Sequence, residues 1–115
     1  MAAEATVAQF LRAGGYAILA RRARVGGAEI DVIASREGIV AFVEVKARRR
    51  GTSGYYSIDR RKQARISAAA DAWMAENPLF LRHSIRFDTA LVWPGGRLDY
   101  VENAFDEVAA DGFVF

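Results

Sequence analysis

The sequence contains no cysteine, a single histidine and no long apolar run. The absence of cysteine excludes disulfides, thiolate metal sites and thiol nucleophiles, and it is compatible with a reducing cytoplasm. No stretch approaches the roughly 20 apolar residues of a membrane span. The first fifteen residues have no basic segment followed by an apolar run, so we expect no signal peptide and a cytoplasmic location.

The composition is that of a globular protein. Of 115 residues, 52% are apolar and 26% are charged, which argues against disorder. This length fits one domain, so we expect residues 1–115 to form a single unit.

Basic residues are concentrated in one part of the chain. The net charge is only +2, yet residues 46–65 hold eight of the sixteen basic residues and a single acid, Asp59. These residues are Lys46, Arg48, Arg49, Arg50, Arg60, Arg61, Lys62 and Arg65. A solvated basic face is one interpretation. The other is a phosphate-binding surface, for which the planar guanidinium of arginine is well suited.

The apolar pattern predicts a mixed α/β fold with helices on both faces of a sheet. Helical spacing indicates a first helix at 3–13 and a second from Ser57 or Asp59 to about Glu76. The second helix links the third strand to the fourth, so that pair is expected to be parallel. The predicted strands are 16–24, 28–35, 39–47, 83–93 and a short one near 98–101. A last short helix is expected at 103–110, and the apolar tail 111–115 is expected to pack on the fold.

The third predicted strand carries two charged residues in an apolar run. Residues alternate faces along a strand, so Glu44 and Lys46 share one face. A turn centred on Arg36-Glu37 would set Ala34 opposite Ile39 and Glu29 opposite Glu44. Glu29, Asp31, Glu44 and Lys46 would then point the same way, although like charges in direct opposition are destabilising.

A hard divalent cation removes this conflict. Mg²⁺ or Mn²⁺ is held by one or two carboxylates, with waters and phosphates completing the shell. A lysine beside the ion would orient or deprotonate water, or stabilise developing charge. The alternative is that Lys46 pairs with Glu44 or Asp31 at a strand end.

Other polar residues allow two interpretations each. Glu4 borders the buried face of the first helix and either approaches the ion or stays exposed in the first turn. Lys62 and Gln63 lie one turn into the second helix, where they either contact phosphate or face solvent. Arg86 and Asp88 are expected to form a structural ion pair, and His83 is expected to be structural.

Five motifs, in order, resemble those of the YraN-like family of small bacterial proteins. They are Glu29-Ile30-Asp31, Val43-Glu44-Val45-Lys46 followed by Arg48, Lys62-Gln63, Arg86-Phe87-Asp88 and Asn103-Ala104-Phe105. By resemblance this family belongs to the PD-(D/E)XK, or restriction-endonuclease-like, superfamily and is similar to archaeal Holliday junction resolvases. The resemblance implies an αβββαβ core. It also implies a metal-dependent nuclease site formed by Glu4, Asp31, Glu44 and Lys46, with Gln63 as an accessory residue.

Three functions follow as hypotheses. The first is a Mg²⁺- or Mn²⁺-dependent endonuclease acting on DNA, including branched DNA such as Holliday junctions. Cutting both strands of a junction calls for two symmetric sites, so a homodimer is expected. The second is a nucleic-acid-binding module of the same fold without catalysis. The third is a protein-interaction or assembly module that uses the apolar tail Phe113-Val114-Phe115.

Overall fold

The computed structural model describes residues 2–108 and contains one five-stranded sheet with two α-helices. The elements in chain order are α1 (Ala3–Ala13), β1 (Ala17–Val25), β2 (Ala28–Arg36), β3 (Ile39–Ala47), α2 (Arg60–Glu76), β4 (Ser84–Val92) and β5 (Leu98–Phe105). This order confirms the expected αβββαβ core of the restriction-endonuclease-like fold, with β5 as an extension.

The strands lie in the order β1-β2-β3-β4-β5. Neighbours pair antiparallel except β3 and β4, which pair in parallel from Ile39 opposite Ser84 to Ala47 opposite Val92. The parallel pair is confirmed, because α2 carries the chain back to the starting edge of the sheet. As a result the carboxyl ends of β3 and β4 meet at the same edge.

Helices cover both faces of the sheet, as the apolar pattern predicted. Val7 and Leu11 of α1 pack on one face against Val32, Val43 and neighbouring side chains. Residues of α2, including Ile66 and Trp73, pack on the other face around Phe42. The central strand β3 is therefore buried on both faces between Val40 and Val43, which explains its almost continuous apolar sequence.

The predicted register of the β2–β3 hairpin is wrong by two residues. Ala34 lies opposite Ala41, and Arg36 lies opposite Ile39. The loop has only two residues, Glu37 (φ 51°) and Gly38 (φ 79°), and two positive φ values are typical of the tight type I′ hairpin turn. A shift of two residues preserves the face of each side chain but changes which residues oppose one another.

The chain after β4 also differs from the prediction. Residues 103–105, expected in a helix, are the end of β5, where Asn103 has a φ of 53° and donates its backbone N–H to Asp88. Residues 106–108 form no helix. The remainder of the predicted helix, 109–110, and the apolar tail 111–115 lie outside the described residues.

The expected ion pair between Arg86 and Asp88 is confirmed. The two side chains meet at 2.8 Å on β4, and Asp88 is fully buried. Tyr16, before β1, accepts a hydrogen bond from Arg86, and Tyr100 on β5 donates one to Asp88. This network joins β4 and β5 to the segment before β1 on the face covered by α1.

The start of α2 depends on a side-chain cap. Asp59 Oδ1 accepts a hydrogen bond of 2.8 Å from the backbone N–H of Lys62. Asp59→Ala is expected to lower the free energy of unfolding by about 1 kcal/mol, because that N–H loses its acceptor. Urea unfolding measures the change. Asp59→Asn keeps an acceptor and serves as control, and equal stability of all three proteins would contradict the assigned cap.

Candidate active site

The candidate site begins where β2 and β3 separate. Their ladder ends at Val32 opposite Val43. Beyond it, Asp31 Oδ2 accepts a hydrogen bond of 2.8 Å from the backbone N–H of Val45. The carboxylate of Asp31 thus takes the place of a strand carbonyl and is held beside the end of β3 that carries Glu44 and Lys46.

Glu44 is nearly buried and has a lysine partner. Its side chain is 11% exposed, and its Oε1 lies 2.6 Å from the Nζ of Lys62 on α2. Burial lowers the pKa of Lys62, but the hydrogen bond and charge of Glu44 leave it above the ordinary value. The lysine that pairs with Glu44 is therefore Lys62, eighteen residues away in the chain, and not Lys46.

Asp31 lies in a site that disfavours its charge. Burial raises the pKa of Asp31 to about 6, against the lowering effect of the hydrogen bond from Val45. The negative charges of Glu44, Glu29 and Glu4 raise it further. Several acids therefore lie close enough to repel one another, and a bound cation would relieve that repulsion.

Glu29 does not share the face expected for it. Ile30 and Ile33 both pack in the cluster under α2, so strict alternation is interrupted between them. The β1–β2 register sets Arg22, with a φ of 52°, opposite this interruption. Glu29 is turned outward as a result. Its side chain is 43% exposed and lies 3.5 Å from that of Arg24, and it does not lie opposite Glu44.

Glu4 is near the site but is engaged elsewhere. Its Oε1 accepts a hydrogen bond of 2.5 Å from the Nε of Arg22. The hydrogen bond from its own backbone N–H, followed by the bond from Arg22, lowers the pKa of Glu4. Glu4 contributes negative charge around Asp31, while its carboxylate faces an arginine.

Lys46 and Gln63 both lie near Tyr56. Lys46 is exposed, its Nζ lies 5.9 Å from the centre of the Tyr56 ring, and within residues 2–108 it forms no ion pair. Gln63 donates a hydrogen bond of 2.7 Å to the carbonyl of Ile58. Gln63 and Tyr56 also line a cavity of about 300 Å³. Lys46 is therefore available to a ligand, and Gln63 is fixed at the base of the preceding loop.

The predicted basic surface is formed by one loop and one helix face. The loop, residues 48–56, is here called the arginine loop. Arg48 is held inside it by a hydrogen bond of 2.6 Å to the carbonyl of Ser53. The other predicted arginines are exposed, two on the loop and three on α2; they are Arg49, Arg50, Arg60, Arg61 and Arg65.

The residues present fit a divalent cation bound by two carboxylates. Between residues 2 and 108 no group of three or more histidine, cysteine or acidic side chains is arranged to hold an ion. Asp31 and Glu44 each keep one carboxylate oxygen without a hydrogen bond from this part of the chain, and two carboxylates suffice for Mg²⁺ or Mn²⁺ when water and phosphate complete the shell. His83 is not a ligand of this candidate site, since its ring packs edge-on against Phe80.

Comparison with known proteins identifies the family. The family described as "Uncharacterised protein family UPF0102" matches residues 3–92. The chain belongs to the UPF0102 family. This confirms the resemblance to the YraN-like proteins, which form the same family.

Curated UPF0102 relatives are similar over most of the chain. A UPF0102 protein of Rhodopseudomonas palustris (strain BisB5) is 45% identical over 92% of this chain and 81% of its own length. A UPF0102 protein of Nitrobacter winogradskyi is 42% identical over 92% of this chain and 90% of its own length. A UPF0102 protein of Bradyrhizobium diazoefficiens is also 42% identical, over 92% of this chain and 80% of its own length.

Two features of this UPF0102 protein were not expected from its sequence. One is the pairing of Lys62 with Glu44. The other is a cluster beside the arginine loop, where Arg97 lies 4.7 Å from the centre of the Trp93 ring. The pairing of Lys62 with Glu44, and the position of the Trp93–Arg97 cluster beside the loop, have no local sequence signal, because each depends on the docking of distant segments.

No helix in the described part of the chain is long and apolar enough to cross a membrane.

Proposed function

We propose that this UPF0102 protein is a Mg²⁺- or Mn²⁺-dependent endonuclease that hydrolyses phosphodiester bonds of DNA, including branched DNA such as Holliday junctions. The observation that supports it is that Asp31 and Glu44 lie close together, with Lys62 paired to Glu44 and Lys46 at the end of β3, next to the arginine loop. The resemblance to a nuclease superfamily supports the same activity. We further propose that the enzyme works in the cytoplasm as a homodimer.

Four side chains of the site, and the exposed arginines beside it, have roles in this proposal. Asp31 and Glu44 hold the cation, and Lys62 keeps Glu44 in position through its ion pair. When bound, a divalent cation lowers the pKa of water and stabilises charge on a phosphodiester. Lys46, which is exposed, orients the attacking water or receives its proton. The exposed arginines hold the phosphates of the strand.

Cleavage of an end-labelled four-way DNA junction tests the proposal, with linear duplex beside it. The wild type is expected to cut in Mn²⁺ and not in EDTA, and Glu44→Ala is expected to lose cutting because one of the two cation ligands is gone. Glu29→Ala is the matched control, since Glu29 is turned outward on the neighbouring strand. Equal cutting by the wild type and Glu44→Ala would overturn the assignment.

A non-catalytic DNA-binding module is the second candidate. It is favoured by the ion pairs of Glu44 with Lys62 and of Glu4 with Arg22, which neutralise two of the acids without metal. Such a module would bind the junction equally in Mn²⁺ and EDTA, lose affinity steeply with salt and leave the DNA intact. The junction assay therefore separates the two candidates.

A further inference from the structure

A pocket of about 400 Å³ lies between the arginine loop and the turn that joins β4 to β5. Its lining includes Arg50 and Thr52 of the loop, and Trp93 and Arg97 of the turn. The backbone N–H of Arg48 donates a hydrogen bond of 2.8 Å to the carbonyl of Val92, which fixes loop and turn together. The pocket is therefore at the same edge of the sheet as Lys46, which lies opposite Leu91 in the parallel pair.

The pocket has an excess of positive charge around one aromatic ring. The guanidinium carbons of Arg97 and Arg48 lie 4.7 Å and 6.0 Å from the centre of the Trp93 ring. Asp99 is the acid beside them; it accepts a hydrogen bond of 2.9 Å from the indole N–H of Trp93 and lies 3.5 Å from Arg97. Arg50 also lines the pocket, so three guanidinium groups and one carboxylate lie in or beside it.

Arg48 is a second indication that acids do not neutralise all of the positive charge around the pocket. Its Nε is buried and has no hydrogen-bond partner within residues 2–108, and it forms no ion pair with an acid in that part of the chain. Arg48 therefore adds positive charge beside the pocket that no acid in this part of the chain neutralises, and such charge favours the approach of an anion.

We propose that this pocket binds a backbone phosphate of the DNA strand that passes the active site. Arg50 and Arg97 contact the phosphate oxygens, and the hydroxyl of Thr52 donates a further hydrogen bond. The ligand is a phosphate and not a stacked base, because guanidinium groups already lie against the Trp93 ring. Such a contact fixes the register of the strand without reading its sequence. The inference rests on the proposed function in one respect, that the ligand is DNA.

The test measures the affinity of a labelled four-way junction by fluorescence anisotropy across a range of salt, in EDTA so that no cleavage occurs. Arg97→Ala is expected to weaken binding and to reduce the slope of log K against log salt by about 0.9, the value for one phosphate contact on duplex DNA. Asp99→Asn is expected to strengthen binding, because it removes the opposing charge while its amide oxygen still accepts from Trp93. Arg82→Ala is the matched control, since Arg82 is an exposed arginine before the opposite end of β4.

Intrinsic fluorescence locates the ligand. Trp73 belongs to α2, packs in the core and is 7% exposed, so a change in tryptophan emission on binding reports mainly Trp93. The change is expected with the wild type and with Arg82→Ala, and it is expected to shrink with Arg97→Ala.

The outcomes separate this inference from the proposed function. If Arg97→Ala keeps the affinity and slope of Arg82→Ala, the phosphate pocket is wrong while the nuclease proposal stands. If the slope falls in Arg97→Ala but the wild type never cuts DNA, the pocket is supported and the nuclease proposal fails. If the wild type binds no junction at low salt, both are overturned.

Discussion

Asp31→Asn is expected to abolish cleavage of the DNA junction while leaving the protein folded. An asparagine Oδ1 still accepts the hydrogen bond from the N–H of Val45, but its neutral amide is a poor ligand for a hard cation. Metal catalysis contributes several kcal/mol, and each 1.36 kcal/mol is tenfold in rate, so a loss on the order of 10³-fold is expected. Single-turnover cleavage in Mn²⁺ measures it.

The same substitution is expected to stabilise the protein at pH 8. Burial and neighbouring acids raise the pKa of Asp31 to about 6 from 3.8, so between about pH 4 and 6 the folded state holds the proton more tightly than the unfolded state. The stability contributed by this group is therefore fully present below pH 4 and is lost as the pH rises through 6. The neutral asparagine removes that loss.

Urea unfolding in metal-free buffer at pH 4 and pH 8 measures whether the substitution raises or lowers the free energy of unfolding. Wild type and Asp31→Asn should differ little at pH 4, and the variant should be the more stable at pH 8. The cleavage rate of the wild type should rise as the pH passes 6, because only the carboxylate binds the cation. Asp59→Asn is the control, because Asp59 is an exposed aspartate at the N-cap of α2. It should neither abolish cleavage nor raise stability at pH 8. A variant that cuts, or that is less stable at pH 8, would contradict the role given to Asp31.

The sequence predicted those parts of the site that depend on local geometry. Glu44 and Lys46 lie on a regular strand, so alternation and the apolar run around them predicted that they share one face. The helix–strand order and the parallel pair followed from hydrophobic periodicity and the crossover. The signals behind these predictions, alternation and helical periodicity, are read from residues close in the chain.

Errors arose where one residue changes the geometry of its neighbours. A two-residue turn with Glu37 and Gly38 at positive φ shifted the hairpin register by two residues. Because both registers give each strand the same alternation of faces, the apolar pattern does not distinguish them. The interruption opposite Arg22 turned Glu29 outward. Such irregularities leave no periodic signal, so alternation assigned Glu29 to the wrong face.

Tertiary pairing accounts for the features that were missed. Lys62 reaches Glu44 only because α2 packs across the sheet with its first turn over the end of β3. Trp93 and Arg97 lie beside the arginine loop because β3 and β4 end together. Charge clustering along the chain identified the loop, but it did not identify Arg97, which the turn between β4 and β5 brings to it.

Asp88→Ala is expected to cause the largest loss of stability among the variants considered. Asp88 is fully buried and accepts hydrogen bonds from Arg86, the hydroxyl of Tyr100 and the backbone N–H of Asn103. Removing it leaves the charge of Arg86, whose side chain is only 13% exposed, with no buried partner and only the half-exposed Glu102 nearby. Breaking a buried pair in this way costs about 3–5 kcal/mol, and urea unfolding followed by far-UV circular dichroism measures the loss.

Two comparisons separate a buried charge network from simple loss of packing. Glu102→Ala removes a half-exposed acid 3.7 Å from Arg86 and should cost no more than about 1 kcal/mol, as exposed ion pairs do. The double variant Arg86→Met with Asp88→Leu removes both charges and keeps side-chain volume. It should therefore lose less stability than Asp88→Ala alone, because no unpaired charge is left in the core. If the double variant is instead the less stable of the two, packing and hydrogen bonding by these side chains, and not charge compensation, hold this part of the sheet together.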